Sequence, residues 1–332
     1  MRPSLRRLSG LALAGLLLTL GLVASRSEAE PPASSTPTPS VDTAEALRLS
    51  YYQYDAGLPL NAALKPLDTT DTSKRFSLAY DSAHDQRVTA ILALPKKGVA
   101  PYPAVLLMHG SGGNKDTDYI KGASQILTSQ GFATISLDAQ YRGDRARPGK
   151  TGDLQPDSYT VRDAWVQTVI DLRRAVDYLE SRPDIDRKRI GYLGFSMGGM
   201  LGGVLGGVET RIRCFYLAVP GGGIVNAAKH IDHYPLLKEK FAVKVTPEVL
   251  ARIEDIANVI DPIYYVGRIL PRPLRIIVGK HDEIIPAEMS TAFIEAAQAK
   301  ETENVMRVDS GHIPPVAILV WDIQSFFRTN LK

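Results

Sequence analysis

Cysteine is almost missing: Cys214 is the only one in 332 residues. A lone thiol excludes an intramolecular disulfide and a cysteine metal cluster. An excess of one charge is missing too, with 39 Lys+Arg against 36 Asp+Glu and a formal net charge of +3. No internal repeat is visible. The chain has one conspicuous apolar run, Leu11 to Ala24, short of the roughly 20 residues a spanning helix needs. What is present is ordinary, 44% hydrophobic and 23% charged. That composition excludes a disordered, collagen-like or disulfide-stapled chain. The length fits one large domain or two small ones, at about 100–200 residues per domain.

The apolar run follows Arg2, Arg6 and Arg7 and precedes Ser27-Glu28-Ala29. A basic start, a short apolar stretch and a small-x-small site predict a secretory signal peptide over residues 1–29. An uncleaved anchor is the competing reading. Arg6-Arg7 leave general and twin-arginine export both open. No Cys follows the run, so a lipidated N-terminus is not expected. Residues 30–41 (EPPASSTPTPSV) hold four prolines among small polar residues and read as an extended linker. Met1–Ala29 carries four arginines and one glutamate, a net of +3. That accounts for the whole excess, so the mature chain is formally neutral. The basic balance then belongs to the export signal and gives no reason to expect nucleic acid as a partner. No stable membrane span is expected after processing.

From about Lys74 onward short apolar runs alternate with longer helical ones. Arg75–Tyr80 and Arg87–Leu94 flank a polar turn and predict a hairpin. Strands are predicted at Ala104–Met108, Phe132–Leu137, Ile190–Gly194, Ile212–Val219, Leu274–Val278 and Asn304–Val308. Continuous apolar strands such as AVLLM suit a sheet buried on both faces. Trp165, Val169, Leu172, Val176 and Leu179 mark one face of a helix, and Pro183 ends it. Further helices are predicted over 287–299 and 315–327. Strands alternating with helices imply a mostly parallel sheet. Residues 221–269 are too long for a connector and predict a helical insertion, a candidate lid before the penultimate strand.

The chemistry concentrates in Gly194-Phe195-Ser196-Met197-Gly198, which follows an apolar strand and precedes a helical stretch. A serine on so tight a turn needs a strained backbone, and side chains two before and two after it would collide. The turn exposes the hydroxyl and sets the next N–H at a helix N-terminus, where it can stabilise an oxyanion. Ser196 is therefore the candidate nucleophile, and it needs a base. His312, in Ser310-Gly311-His312 after the last strand, lies where ligands gather in parallel sheets. Asp282, in Lys280-His281-Asp282-Glu283 after the preceding strand, is the candidate acid that orients it. Glu283 is its alternative. The order Ser, Asp, His suits a strand–turn–helix nucleophile. Met197 is one candidate oxyanion donor through its backbone N–H. The second is Ser111, in His109-Gly110-Ser111-Gly112-Gly113. Gly112 and Arg142, the latter in Tyr141-Arg142-Gly143-Asp144-Arg145, are candidate pocket residues. For Arg142 a structural ion-pair cluster is the competing reading. His109 is read as structural, Asp309 as a support for the His312 loop, and His281 as incidental. His230 and His233 have metal-like spacing but no nearby Cys and few acids, so no metal site is assigned. The glycines of Met197–Val208 recur every four residues, which predicts a core helix packed closely on the sheet.

HGSGG, LDAQYRGDR, GFSMGG, GKHD and SGH occur in one order between about Lys74 and Asn330. In this the chain resembles the α/β-hydrolases, and among them the dienelactone hydrolase and acetyl-xylan-esterase-like groups. The resemblance implies an eight-stranded mixed sheet and a serine hydrolase with no metal or cofactor. Dienelactone hydrolases proper carry Cys at the position of Ser196, which favours an esterase acting on a small-molecule, carbohydrate or polymer ester. Two other readings remain. One is an amide hydrolase of the prolyl-oligopeptidase type, which would usually carry a large extra N-terminal domain. The other is a non-catalytic binding protein on the same scaffold.

Overall fold

Successive residues of a strand point to opposite faces, so a strand apolar at every position needs cover on both sides. In the computed structural model, which describes residues 41–153, 155, 157–241 and 244–331, such strands form the middle of the sheet. The predicted signal peptide and most of the predicted linker lie outside the described residues. The strands are β1 Ala63–Thr69, β2 Ser73–Asp81, β3 Arg87–Pro95, β4 Tyr102–Met108, β5 Ala133–Leu137, β6 Ile185–Phe195, β7 Cys214–Ala218, β8 Leu274–Gly279 and β9 Val305–Val308. The helices are α1 Val41–Ser50, α2 Asp118–Ser129, α3 Tyr159–Glu180, α4 Met197–Val208, α5 Ile224–Lys229, α6 Pro235–Phe241, α7 Pro247–Ile260, α8 Ala287–Ala296, α9 Glu301–Asn304 and α10 Val316–Asn330.

The sheet order is β1-β2-β3-β5-β4-β6-β7-β8-β9. From β5 to β9 every pair is parallel, while β1, β2 and β3 join antiparallel. This is an α/β-hydrolase sheet with nine strands where eight were expected. The extra one is β1, which pairs with β2 from Ala63 opposite Ala79 to Thr69 opposite Lys74. It is exposed along its whole length, so no buried alternation betrays it. Lys65, Asp68 and a bulge at Pro66 protect this edge from pairing with another chain.

Val105 and Leu107 of β4 face a layer with Ile120 and Leu127 of α2 and Ile323 and Phe327 of α10. Leu106 and Met108 face the other way, toward Trp165 and Val169 of α3, Leu201 of α4 and Phe293 of α8. Burying a side chain of this kind contributes about 1.5–3 kcal/mol. The glycines of α4 allow close approach: a Cβ at Gly202 would overlap the Tyr192 ring, and one at Gly207 would come within 2.7 Å of the Tyr265 Cβ. Among the described residues no helix is long and apolar enough to cross a membrane.

The segment between β7 and β8 is helical, but its two halves differ. Ile253, Ile256, Ala257 and Ile260 of α7 belong to the main core. Ala227, Ile231 and Leu237 form a separate small cluster with Ile285 and Met289, just past Asp282. Asp261 joins the halves. Its carboxylate, 1% exposed, accepts the N–H groups of Gly223 (3.1 Å), Ile224 (2.6 Å) and Ile263 (3.3 Å).

Burial pushes the Asp261 carboxyl up to about 6, against those three N–H bonds. A carboxyl whose folded value is raised holds its proton more tightly folded than unfolded. Its contribution is complete below about 3.8 and is lost as pH rises through about 6. Over that window the parent protein should lose on the order of 3 kcal/mol through this one group. Asp261→Asn cannot titrate, so its melting temperature is expected to gain on the parent between pH 4 and pH 7. A gap that stays constant across those pH values would refute the titration.

Candidate active site

All the parallel strands end at one edge, and every loop that bears chemistry leaves from it. Ser196 follows β6 directly. Its φ of 53° and ψ of −116° are a conformation that costs a residue with a Cβ about 1–3 kcal/mol. The surroundings enforce it. Ser196 N–H donates to Ala218 O (2.8 Å), Met200 N–H donates to Ser196 O (3.0 Å), and Tyr192 Oη donates to Gly198 O (2.6 Å). A Cβ at Gly194 would overlap the Gly198 carbonyl, and one at Gly198 would overlap the Met108 carbonyl. Both glycines are therefore steric requirements of the turn.

His312 Nε2 lies 2.9 Å from Ser196 Oγ, and its Nδ1 lies 2.8 Å from Asp282 Oδ2. Asp282 spends its other oxygen on backbone: Oδ1 accepts Ile284 N–H at 2.9 Å and Ile285 N–H at 2.8 Å. The side chain of Asp282 is 5% exposed and that of His312 20%. The acid is thus shielded while the imidazole reaches the open edge. Because a carboxylate only accepts, His312 Nδ1 carries the proton and Nε2 presents its lone pair to the hydroxyl. Glu283 stays out of this chain. Asp309 accepts from His281 Nε2 at 2.8 Å, with both side chains well exposed. This pair clasps the Asp282 loop to the His312 loop.

The loop after β4 lies against Ser196, since a Cβ at Gly110 would come within 3.2 Å of the Ser196 Cβ. His109 anchors the loop. It is buried, donates from Nδ1 to Gly110 O (2.8 Å) and accepts Ala139 N–H at Nε2 (3.1 Å). Burial lowers its pKa, which favours this neutral, structural role. Two residues missed from sequence complete the loop. Tyr119 Oη accepts Gly110 N–H at 2.9 Å, and its ring packs edge-on against Phe195. Asp153 Oδ1 accepts Gly112 N–H at 3.2 Å, while its Oδ2 pairs with Arg142. The candidate pocket residues Gly112 and Arg142 are thus joined through one carboxylate. Ser111 N–H donates to nothing among the described residues, and Met197, first residue of α4, has an N–H with no intrahelical acceptor. His230 and His233 lie with ring centroids 5.8 Å apart and tilted by 36°, and among the described residues no third ligand joins them.

A strained serine, an imidazole and a carboxylate in line at a sheet edge suit acyl transfer. The family model described as Acetyl xylan esterase (AXE1) matches residues 53–222, half of the chain. The chain belongs to the acetyl xylan esterase family. Membership makes it a carboxylic ester hydrolase. A second model, BAAT / Acyl-CoA thioester hydrolase C terminal, matches residues 172–317, a span that includes Ser196, Asp282 and His312. The putative hydrolase YtaP of Bacillus subtilis is 28% identical over 260 residues, covering 73% of this chain and 83% of that protein. The acetyl esterase Axe7A of Xylanibacter ruminicola is 27% identical over 258 residues, 70% of this chain but only 54% of that longer protein. The crystal structure of acetyl xylan esterase 1 from a Thermoanaerobacterium species superposes with a TM-score of 0.70 at 18% identity, over 88% of this chain and 93% of that one. That likeness establishes the shared fold.

Proposed function

We propose that the protein is an exported serine esterase that removes short acyl groups, acetyl first among them, from a carbohydrate. Ser196 Oγ attacks the ester carbonyl while His312 Nε2 takes its proton. The N–H groups of Met197 and Ser111 receive the developing oxyanion, in a pocket bounded by Gly112 and Arg142. The intermediate collapses, His312 returns the proton to the departing alcohol, and the acyl group stays on Ser196. Water, deprotonated by His312, then releases it as the carboxylic acid. The observation that carries this reading is the unbroken line from Asp282 through His312 to Ser196, at 2.8 and 2.9 Å. The acetyl preference is supported by the family and by the acetyl esterase relative. Export is supported by the basic, apolar, small-x-small pattern of Met1–Ala29.

The second family match favours one rival, a thioesterase, and an anilide stands for the amide reading. The test compares kcat/KM for p-nitrophenyl acetate, an acetyl thioester of coenzyme A and an acetyl anilide. The oxygen ester is expected to lead both by about a hundredfold or more, roughly 3 kcal/mol in the barrier. A thioester that equals or beats the oxygen ester would overturn the substrate class. No turnover of any of the three would overturn the enzyme.

A further inference from the structure

The turn between β2 and β3 lies at the same sheet edge as Ser196. Strands β2 and β5 both run antiparallel to β3, so both end at the edge where β4 and β6 end. Between that turn and the loop after β5 is a hollow of about 400 Å³, lined by Tyr51, His84, Gln86, Gln140 and Tyr141 among others. A second hollow of about 350 Å³ meets it at Gln86 and Gln140. From β6 there are two strand spacings to β5 and three to β3, which sets the groove roughly 10–14 Å to the side of the nucleophile.

Its floor is fixed in orientation. Arg145 donates to Gln140 Oε1, Gln140 Nε2 donates to Gln86 Oε1 (2.9 Å), and Gln86 Nε2 donates to His84 O (3.0 Å). Each amide uses one N–H in this relay and keeps a second. Gln167 Nε2 donates to Asp171 Oδ1 at 2.7 Å, which turns Gln167 Oε1 toward His84 Nδ1 at 2.8 Å. Neutral His84 therefore holds its proton on Nδ1 and keeps Nε2 as an acceptor. His84, Asp85 and Tyr141 have φ of 58°, 54° and 65°, conformations unfavourable for residues with a Cβ. The turn nonetheless sets His84 outward and Tyr141 beside it. No lysine or arginine lines the first hollow, and its one acid, Asp163, is paired with Arg162. The second hollow carries Asp85, Asp144, Arg87, Arg145 and Arg147, so it is the first, with fixed donors, an acceptor and two tyrosines in its lining and no unbalanced charge, that suits the hydroxyls and C–H faces of a neutral pyranose.

We infer that this groove is a distal subsite for a sugar ring of the same chain whose ester reaches Ser196. The inference rests on the carbohydrate-ester reading above. An acetylated monosaccharide cannot span the distance, and a short oligosaccharide can.

The test measures kinetics on acetylated xylose and on acetylated xylo-oligosaccharides of rising length, with p-nitrophenyl acetate alongside. In the parent protein KM should fall as the oligomer lengthens. His84→Ala and Tyr141→Leu should each raise KM for the longer oligomers about fivefold or more, with p-nitrophenyl acetate changed less than about twofold. Binding of the longest oligomer to Ser196→Ala protein, read by calorimetry, should weaken by a similar factor when His84→Ala is added. Cleavage of all acetyl esters with a KM independent of length would overturn the subsite and leave the esterase intact. Equal loss on every substrate would overturn it too, since that marks a structural effect. Failure to cleave any acetyl sugar while p-nitrophenyl acetate turns over would refute the carbohydrate reading itself.

Discussion

Ser196→Ala is expected to lower kcat on p-nitrophenyl acetate by about 10⁴- to 10⁶-fold. The hydroxyl is the one group His312 Nε2 reaches, at 2.9 Å, so no neighbouring nucleophile takes over. What survives should be the part of the acceleration that does not need it: the Met197 and Ser111 N–H groups and ester binding, worth about a thousandfold over water in serine hydrolases. The fold should be nearly untouched. Alanine adopts the strained φ of 53° no less readily than serine, and the backbone bonds to Ala218 and Met200 do not involve the side chain. A melting temperature near the parent's, together with loss of labelling by a fluorophosphonate, would assign the defect to chemistry. Activity within tenfold of the parent would place the nucleophile elsewhere and remove the mechanism.

How much of this was readable in advance depends on where each signal lay. The strands β4 and β7 are apolar at nearly every position because both faces are covered, and such runs stand out in a sequence. The Ser196 turn is local too: the glycines on either side of it are required by carbonyls that a Cβ would overlap. Asp282 and His312 could be proposed because parallel strands put their following loops at one edge. The silent parts are the non-local or fully solvated ones. β1 buries no side chain, so it has no period to detect, and its pairing with β2 supplies the order that its composition does not. Tyr119 and Asp153 meet Gly110 and Gly112 only through folding of the loops after β4 and β5. Nothing in the spacing of a single sequence marks a tyrosine as the acceptor of an N–H nine residues away. The lid was half legible. Its length was, but α7 and, through Ile224 and Ala228, α5 pack into the main core, which leaves Ile231 and Leu237, in the small cluster beside Ile285, as the part outside it.

Asp282→Asn is expected to lower kcat by about 10⁴-fold with the fold intact, for a reason contained in the loop itself. In the parent, Oδ1 accepts the N–H groups of Ile284 and Ile285 and Oδ2 faces His312 Nδ1. Asparagine has one oxygen. If its amide group pointed at the two backbone N–H groups, three donors would converge with no acceptor, at a cost of about 1–3 kcal/mol for each buried group left unpaired. The side chain therefore keeps its oxygen on Ile284 and Ile285 and turns its NH₂ toward His312. That NH₂ needs an acceptor, so the imidazole moves its proton from Nδ1 to Nε2. Nε2 then has no lone pair for the Ser196 proton, and a base of correct position holds the wrong tautomer. KM should change little, because Asp282 is screened from the substrate. Asp309→Asn supplies the control. Asp309 also pairs with a histidine at 2.8 Å, but the pair is exposed, 71% and 80% for the two side chains, and such pairs are worth at most about 1 kcal/mol. Its kcat should stay within about threefold of the parent. A loss at Asp309 or Glu283 that matched or exceeded the loss at Asp282 would transfer the orienting role to that carboxylate, and with it the reason His312 holds its proton on Nδ1.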